Sequence, residues 1–171
     1  MRVGKLNEIN RRTWVSKTLQ NIPRGCKILD AGAGEQQYKK YCSHLKYVSQ
    51  DFAQYEGLGN KKGLQTTTWK YGKLDIISDI VSIPRPDKSF DAILCSEVLE
   101  HLPEPIKAIR EFSRLLKPNG LLILTAPFCS LVHFAPFHYY TGFDRYFYET
   151  FLPKFGFEII EIKANGNYFE Y

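Results

Sequence analysis

The sequence predicts an α/β protein built on an open, mostly parallel sheet with helices on both faces. Three observations carry this. Short apolar runs alternate with helical spacings along most of the chain, the pattern of strands joined by crossovers. The run "CKILD" ends in an acid, Asp30, and a small-residue loop, Ala31-Gly32-Ala33-Gly34, follows at once. Two later runs also end at acids, Asp51 and Asp79, so the polar groups fall at one edge of the expected sheet.

Leu6, Ile9, Thr13 and Leu19 give a helical spacing over an N-terminal segment, residues 1–23, that stops near Pro23. "CKILDA" is the first strand. Tyr38, Tyr41 and Leu45 predict a short helix behind the glycine loop, and "KYVSQDF" a second strand. Residues 53–73 are polar and dotted with glycine where a crossover helix belongs, and so long a loop in a compact domain is functional or mobile. "LDIISDI" and "FDAILCS" read as the third and fourth strands. "PEPIKAIREFSRLLKPNG" starts on prolines, carries Ile106, Ile109, Phe112 and Leu116, and stops at Pro-Asn-Gly. "LLILTAP" is the fifth strand, residues 128–143 a loop crowded with aromatics and histidines, "DRYFYETFLPKF" a helix and "FEIIEI" a sixth strand.

A chain of 171 residues, 44% hydrophobic and 15% aromatic, is expected to form one domain over residues 1–171 with a sizeable core. No run is long enough to span a membrane, and "MRVGKLNEINRR" lacks the apolar centre of a signal peptide. Cys26, Cys42, Cys95 and Cys129 show no CxxC spacing and read as reduced thiols of a cytoplasmic protein. The net charge of +5 is scattered in pairs such as Lys39-Lys40 and Lys61-Lys62, which reads as solvated surface, not a nucleic-acid interface.

Three ligands compete for the glycine loop. A triphosphate loop needs a lysine and a hydroxyl after the last glycine, and Glu35-Gln36-Gln37 stand there instead. The dinucleotide fingerprint G-x-G-x-x-G/A finds Gly32 and Gly34, but Gln37 occupies the small third position, where close helix–strand packing is needed. S-adenosylmethionine (SAM) carries no phosphate; it has a ribose diol, a zwitterionic end and a sulfonium, so carboxylates are welcome beside it. Asp51, nineteen residues after Gly32, is spaced to accept from both ribose hydroxyls.

"ILDAGAG", "DF" at 51–52, "SDI" at 78–80, "FDAILCSEVLEHLPEP" and "LLKPNGLLILTAPF" together resemble a class I SAM-dependent methyltransferase of the broad type 11 group, over roughly Lys27 to Ile162. The resemblance implies a Rossmann-like fold with SAM as cofactor. It places Asp30, Gly32, Ala33 and Gly34 at the methionine end, Asp51 and Phe52 at ribose and adenine, Asp79 and Ile80 around the adenine, and Cys95, Ser96 and Glu97 at the pocket's closing turn. Gln36 departs from the pattern, standing where many members have a third glycine. The family's closing antiparallel hairpin is also incomplete, since the chain supplies at most its first strand. An unpaired sheet edge recruits strands, so residues 157–171 are expected either to pair with a second copy in a homodimer or to be poorly ordered.

Asp91 lies at the far end of its strand and reads as structural. Glu97, Glu100 and His101 fall near one helical face, an arrangement some related O-methyltransferases use for a cation; the expectation here is no metal, with His101 a helix-start residue near the pocket. Residues 128–148 are the substrate-side segment. Their aromatic faces suit a sugar ring or a methyl-cation equivalent. His138, His133 or His101 can take the acceptor's proton; His138 and His101 are the catalytic candidates. The leading reading is methyl transfer to a hydroxyl or amine of a small-molecule or glycan-type acceptor. A catalytically silent SAM-binding module and a nicotinamide-dependent oxidoreductase are the alternatives.

Overall fold

The computed structural model describes residues 5–165. Five strands form one all-parallel sheet: β1 (Lys27–Ala31), β2 (Lys46–Asp51), β3 (Ile76–Ile77), β4 (Phe90–Ser96) and β5 (Leu116–Thr125). Their order is β3-β2-β1-β4-β5. The chain therefore winds one way from β1 to β3, crosses back, and continues from β4 to β5. That reversal opens a crevice between the carboxyl ends of β1 and β4, where ligands of open α/β sheets bind.

Each strand alternates between two cores, as a sheet covered on both faces requires. Ile28, Ala92, Leu94 and Ile123 pack with Val15 and Leu19 of α1 (Lys5–Gln20). Leu29, Ala31, Ile93 and Cys95 pack on the other face with Ala108, Phe112 and Leu115 of α2 (Pro105–Leu115), and Phe147 of α3 (Arg145–Phe151) borders that core. The α2 stripe follows from the sequence: Ala108, Ile109, Phe112 and Leu115 recur every three or four residues, and Pro105 opens the first turn.

Several connections are leaner than the spacing predicts. Behind the glycine loop only a single 3₁₀ turn forms, Lys39–Tyr41. Residues 53–73 contain no helix. The third strand shrinks to Ile76–Ile77, with Ile77 68% exposed, because β3 is the sheet's edge and pairs only with β2. At the other edge, Lys117–Gly120 bulge out, so the register jumps from Phe90↔Leu116 to Ala92↔Leu121.

The predicted sixth strand is absent among the described residues. Gly156 (φ +81) turns the chain after α3, and the Ser113 hydroxyl of α2 holds the Phe155 carbonyl at 2.7 Å. The segment then reaches α1, where Trp14 Nε1 donates to Glu161 at 3.3 Å and Asn165 donates to the Asn7 carbonyl at 2.7 Å. These contacts carry residues 157–165 from one face to the other without pairing to β5, and Ile160 is left 85% exposed. The expectation for residues 166–171 lies outside the described residues.

Asp91 is structural, as expected. Its carboxylate accepts from the Lys27 backbone N–H at 2.8 Å and from Lys117 Nζ at 2.7 Å, tying the amino ends of β1, β4 and β5 together. Phe112 is fully buried between sheet and α2. Phe112→Ala is expected to cost about 3–5 kcal/mol, the range for deleting a buried phenyl ring. The urea midpoint should fall with an unchanged slope.

Candidate active site

The loop after β1 is held by backbone and acid together. The N–H groups of Gly32 and Ala33 both donate to the Gln50 carbonyl at 2.9 Å. The Gly34 N–H donates to Asp51 Oδ2 at 2.8 Å, while Asp51 Oδ1 accepts from the Ala53 N–H at 3.0 Å. Gly32 (φ +74) and Gly34 (φ +50) adopt left-handed backbone that favours glycine. Neither has room for a side chain of its own: a Cβ on Gly32 would stand 2.5 Å from Val98 Cγ2, and one on Gly34 would stand 2.8 Å from the Trp69 ring. Gln36, in place of a third glycine, has φ +57, and its amide donates to the carbonyls of Tyr71 (2.7 Å) and Lys73 (2.9 Å). The substitution thus fastens the 53–73 loop over the glycine loop.

The electrostatics are one-sided. Asp30 is 3% exposed, and its carboxyl has one hydrogen bond among the described residues, accepted from the Tyr47 hydroxyl at 2.6 Å. Burial pushes its carboxyl up to about 7; the tyrosine bond opposes this, and the charge of Asp51 adds to it. Burial raises Asp51 as well, against the pull of its backbone donors. Neither acid forms an ion pair among the described residues. A site with two buried acids and no cation repels phosphate and suits a ligand that brings its own positive charge.

The other predicted cofactor residues scatter somewhat. Phe52 lies on the crevice, edge-on to Phe137 at 5.0 Å between ring centroids. Asp79 is exposed and caps its own turn by accepting from the Val81 N–H at 3.1 Å. Ile80 and Cys95 are buried in the α2-side core, where burial holds the Cys95 thiol protonated. Ser96 Oγ shares a 2.9 Å hydrogen bond with Thr125 Oγ1, which itself donates to Glu97 at 3.0 Å. Glu97 also pairs with Arg11 of α1 at 3.0 Å.

Sequence reasoning missed the residues that organise the crevice. Gln50 is 1% exposed; its amide donates to the Ser78 carbonyl at 2.7 Å and its oxygen accepts from the Gly32 N–H at 3.3 Å, joining the ends of β1 and β3. The polar pair Ser49-Gln50 inside a buried strand was the available signal. Trp69, a lone indole in a polar loop, was another.

The two long loops meet over the crevice. Leu64 bridges to His133, with Leu64 N–H to the Val132 carbonyl (2.9 Å) and Phe134 N–H to the Leu64 carbonyl (3.0 Å). Phe134 packs against Tyr55, Trp69 and His101, with centroids 4.6, 5.1 and 5.2 Å away. The rings of His101, His133 and His138 gather beside it, at 4.7 to 5.9 Å from one another. His101 is driven down to about 4, mainly by burial, and His138 is lowered for the same reason. At neutral pH both rings are therefore neutral.

Comparison with known proteins agrees with this fold. Residues 29–124 match the family described as Methyltransferase domain. The chain belongs to that family. Its fold is Rossmann-like and its cofactor is SAM, whose cationic centre suits the unpaired acids; the nicotinamide alternative is set aside. A ubiquinone biosynthesis O-methyltransferase of Xanthomonas oryzae pv. oryzae is 31% identical over 104 residues, 59% of this chain and 43% of that protein. A demethylmenaquinone methyltransferase of Bacillus licheniformis is 24% identical over 119 residues, 66% of this chain and 50% of that one. The crystal structure of a putative methyltransferase from Bacillus halodurans superposes with a TM-score of 0.61 at 17% identity, covering 86% of this chain and 69% of its own, and so shares the fold. The chain spans half or less of the length of these two curated relatives.

The burial of Asp30 has a thermal consequence. Its folded pKa is raised from 3.8 to about 7, so the folded state binds the extra proton in that window and stability falls as pH rises through it. Asp30→Asn removes the penalty. The variant should melt several degrees above the parent at pH 8 and close to it at pH 3, as followed by differential scanning calorimetry.

Proposed function

We propose that this domain transfers the methyl group of SAM to a hydroxyl of a small polar acceptor held beneath the two joined loops, with His138 taking the proton. The observation that carries the reading is the group of neutral histidines packed against aromatic rings at the ligand edge of the sheet. Bound SAM supplies an activated methyl group, so the protein's own work is alignment, exclusion of water and removal of a proton.

The tautomers support a base. The Ser130 hydroxyl spends its single proton on the Thr141 carbonyl at 2.9 Å. It therefore accepts from His138 Nε2–H at 3.2 Å, which leaves the Nδ1 lone pair free. His101 donates Nδ1–H to the Phe137 carbonyl at 2.6 Å, and its Nε2 lone pair faces the cluster as the second candidate. On the cofactor side, Asp51 keeps lone pairs for the ribose hydroxyls, Asp30 and the Gly32-Ala33-Gly34 turn take the methionine end, and Phe52 and Asp79 flank the adenine, with Ile80 backing that end from the core. Cys95, Ser96 and Glu97 close the turn.

The O-methyltransferase relatives favour oxygen over nitrogen as acceptor, and the aromatic lining favours a flat ring, a hydroxylated aromatic or a sugar. No helix among the described residues is long and apolar enough to cross a membrane. The four unpaired cysteines fit a cytoplasmic setting, and the open edge of β5 fits a homodimer.

Two measurements test this. Asp51→Ala should weaken SAM binding at least about tenfold by calorimetry, since a hydrogen bond to a charged group is worth roughly 1.5–3 kcal/mol. Unchanged affinity would remove Asp51 from the ribose. His138→Gln should lower turnover of a hydroxyl acceptor by about 10²–10⁴-fold while SAM affinity stays put. Full turnover in that variant would transfer the base to His101 or abolish the need for one.

A further inference from the structure

We propose that the Trp69 indole faces the sulfonium of bound SAM, and that this contact favours SAM over its demethylated product. The proposal rests on the assignment of Asp51 to the ribose and of the glycine turn to the methionine end. It needs neither acceptor nor base.

Position is the first reason. A Cβ on Gly34 would stand 2.8 Å from Trp69 Cζ2, so the ring lies directly on that glycine. The Gly34 N–H is itself bonded to Asp51 Oδ2 at 2.8 Å. Gly34 is thus the point where the ribose contact and the methionine contact meet. In SAM the sulfur is bonded to the ribose 5′ carbon on one side and to the methionine chain on the other. A ring seated on Gly34 therefore borders the atom that joins the two ends.

The way the ring is held is the second. The Lys70 N–H donates to Glu35 Oε1 at 3.1 Å, and the Gln36 amide donates to the carbonyls of Tyr71 at 2.7 Å and Lys73 at 2.9 Å. Both clamps come from the glycine loop, and both grip the residues that follow Trp69. Glu35 and Gln36 stand where a phosphate loop or a third glycine would need other residues. Their effect here is to fasten an indole from a remote loop onto the turn.

The surroundings are the third. Phe134, Tyr55 and Tyr71 stand around Trp69 with centroids 5.1, 5.6 and 6.2 Å away, and each ring is steeply inclined to the indole. Aromatic cages of this kind bind methylated onium ions, because a ring face is partially negative and the cage excludes water. SAM brings such an ion. Loss of the methyl group leaves the bonding pair on sulfur, and the product is a neutral thioether. Every other group of the cofactor is the same before and after transfer, so only a contact that reads the charge separates the two.

Calorimetry of the full chain with SAM and with S-adenosylhomocysteine tests this. Trp69→Leu should weaken SAM about tenfold more than the product, and Trp69→Phe, which keeps an aromatic face, should restore most of the ratio. Asp51→Ala removes a contact that both ligands share and should weaken the two alike. A fault in the ribose assignment therefore shows in that variant without moving the ratio. The chain has two tryptophans, so Trp14→Phe leaves Trp69 as the sole indole. Saturating SAM should then quench its emission more deeply than saturating product. Equal losses of both ligands in Trp69→Leu would make the ring a plain wall. Tighter SAM binding would make it a plug that the cofactor displaces. Either result overturns the proposal, as does equal quenching. If Trp69→Leu fails to fold, the quenching decides.

Discussion

The crevice depends on one carboxylate. Asp51 accepts from the Gly34 N–H with one oxygen and from the Ala53 N–H with the other, so a single side chain fixes the loop after β1 to the end of β2. Charged acceptors make the stronger hydrogen bonds, and here both are shielded from water, since Asp51 is 6% exposed. Without Asp51 the Gly34 N–H of the left-handed turn would lose its acceptor, whereas Gly32 and Ala33 keep the Gln50 carbonyl. Gln50 repeats the device one residue earlier, linking Gly32 to Ser78 and so to β3. A two-residue edge strand is thereby held in register by side chains as much as by its ladder.

Around that point the protein gathers buried acids that no lysine or arginine pairs with among the described residues. Asp30, Asp51 and Glu100 are buried at the same edge of the sheet, and the two whose shifts are largest sit at about 7 and about 8. Each costs stability at neutral pH, which is the expected price where a site is organised for a cationic ligand rather than for the empty fold. The aromatic rings of the two joined loops sharpen this by excluding water. Burial beside them also lowers His101 and His138, so that these bases stand neutral against acids that resist ionising.

The cover over the crevice has little regular structure, and this follows from its sequence. Residues 53–73 hold four glycines, and Gly57, Gly59 and Gly63 are approached by the backbone of Thr68, Ala135 and Val132, too close for a Cβ. A helix in that stretch would have separated the loops. Loose backbone here lets Trp69, Phe134 and Tyr55 reach one another from distant segments.

By itself the sequence determined the sheet and its functional edge. Strand periodicity, the acids at strand ends and the spacing of Gly32, Gly34 and Asp51 are local patterns, and local patterns report burial on two faces directly. The spacing of α2 and the structural part of Asp91 were legible for the same reason. The short edge strand, the missing sixth strand and the fate of Glu97 were not, because each is settled by a competitor elsewhere in the chain. Trp14 and Asn7 capture the segment after α3, and Arg11 captures Glu97. The meeting of Glu100 and His101 with His133 belongs wholly to the tertiary structure: it requires two loops, remote in sequence, to close a bridge at Leu64, and no periodicity encodes a contact between segments that have none.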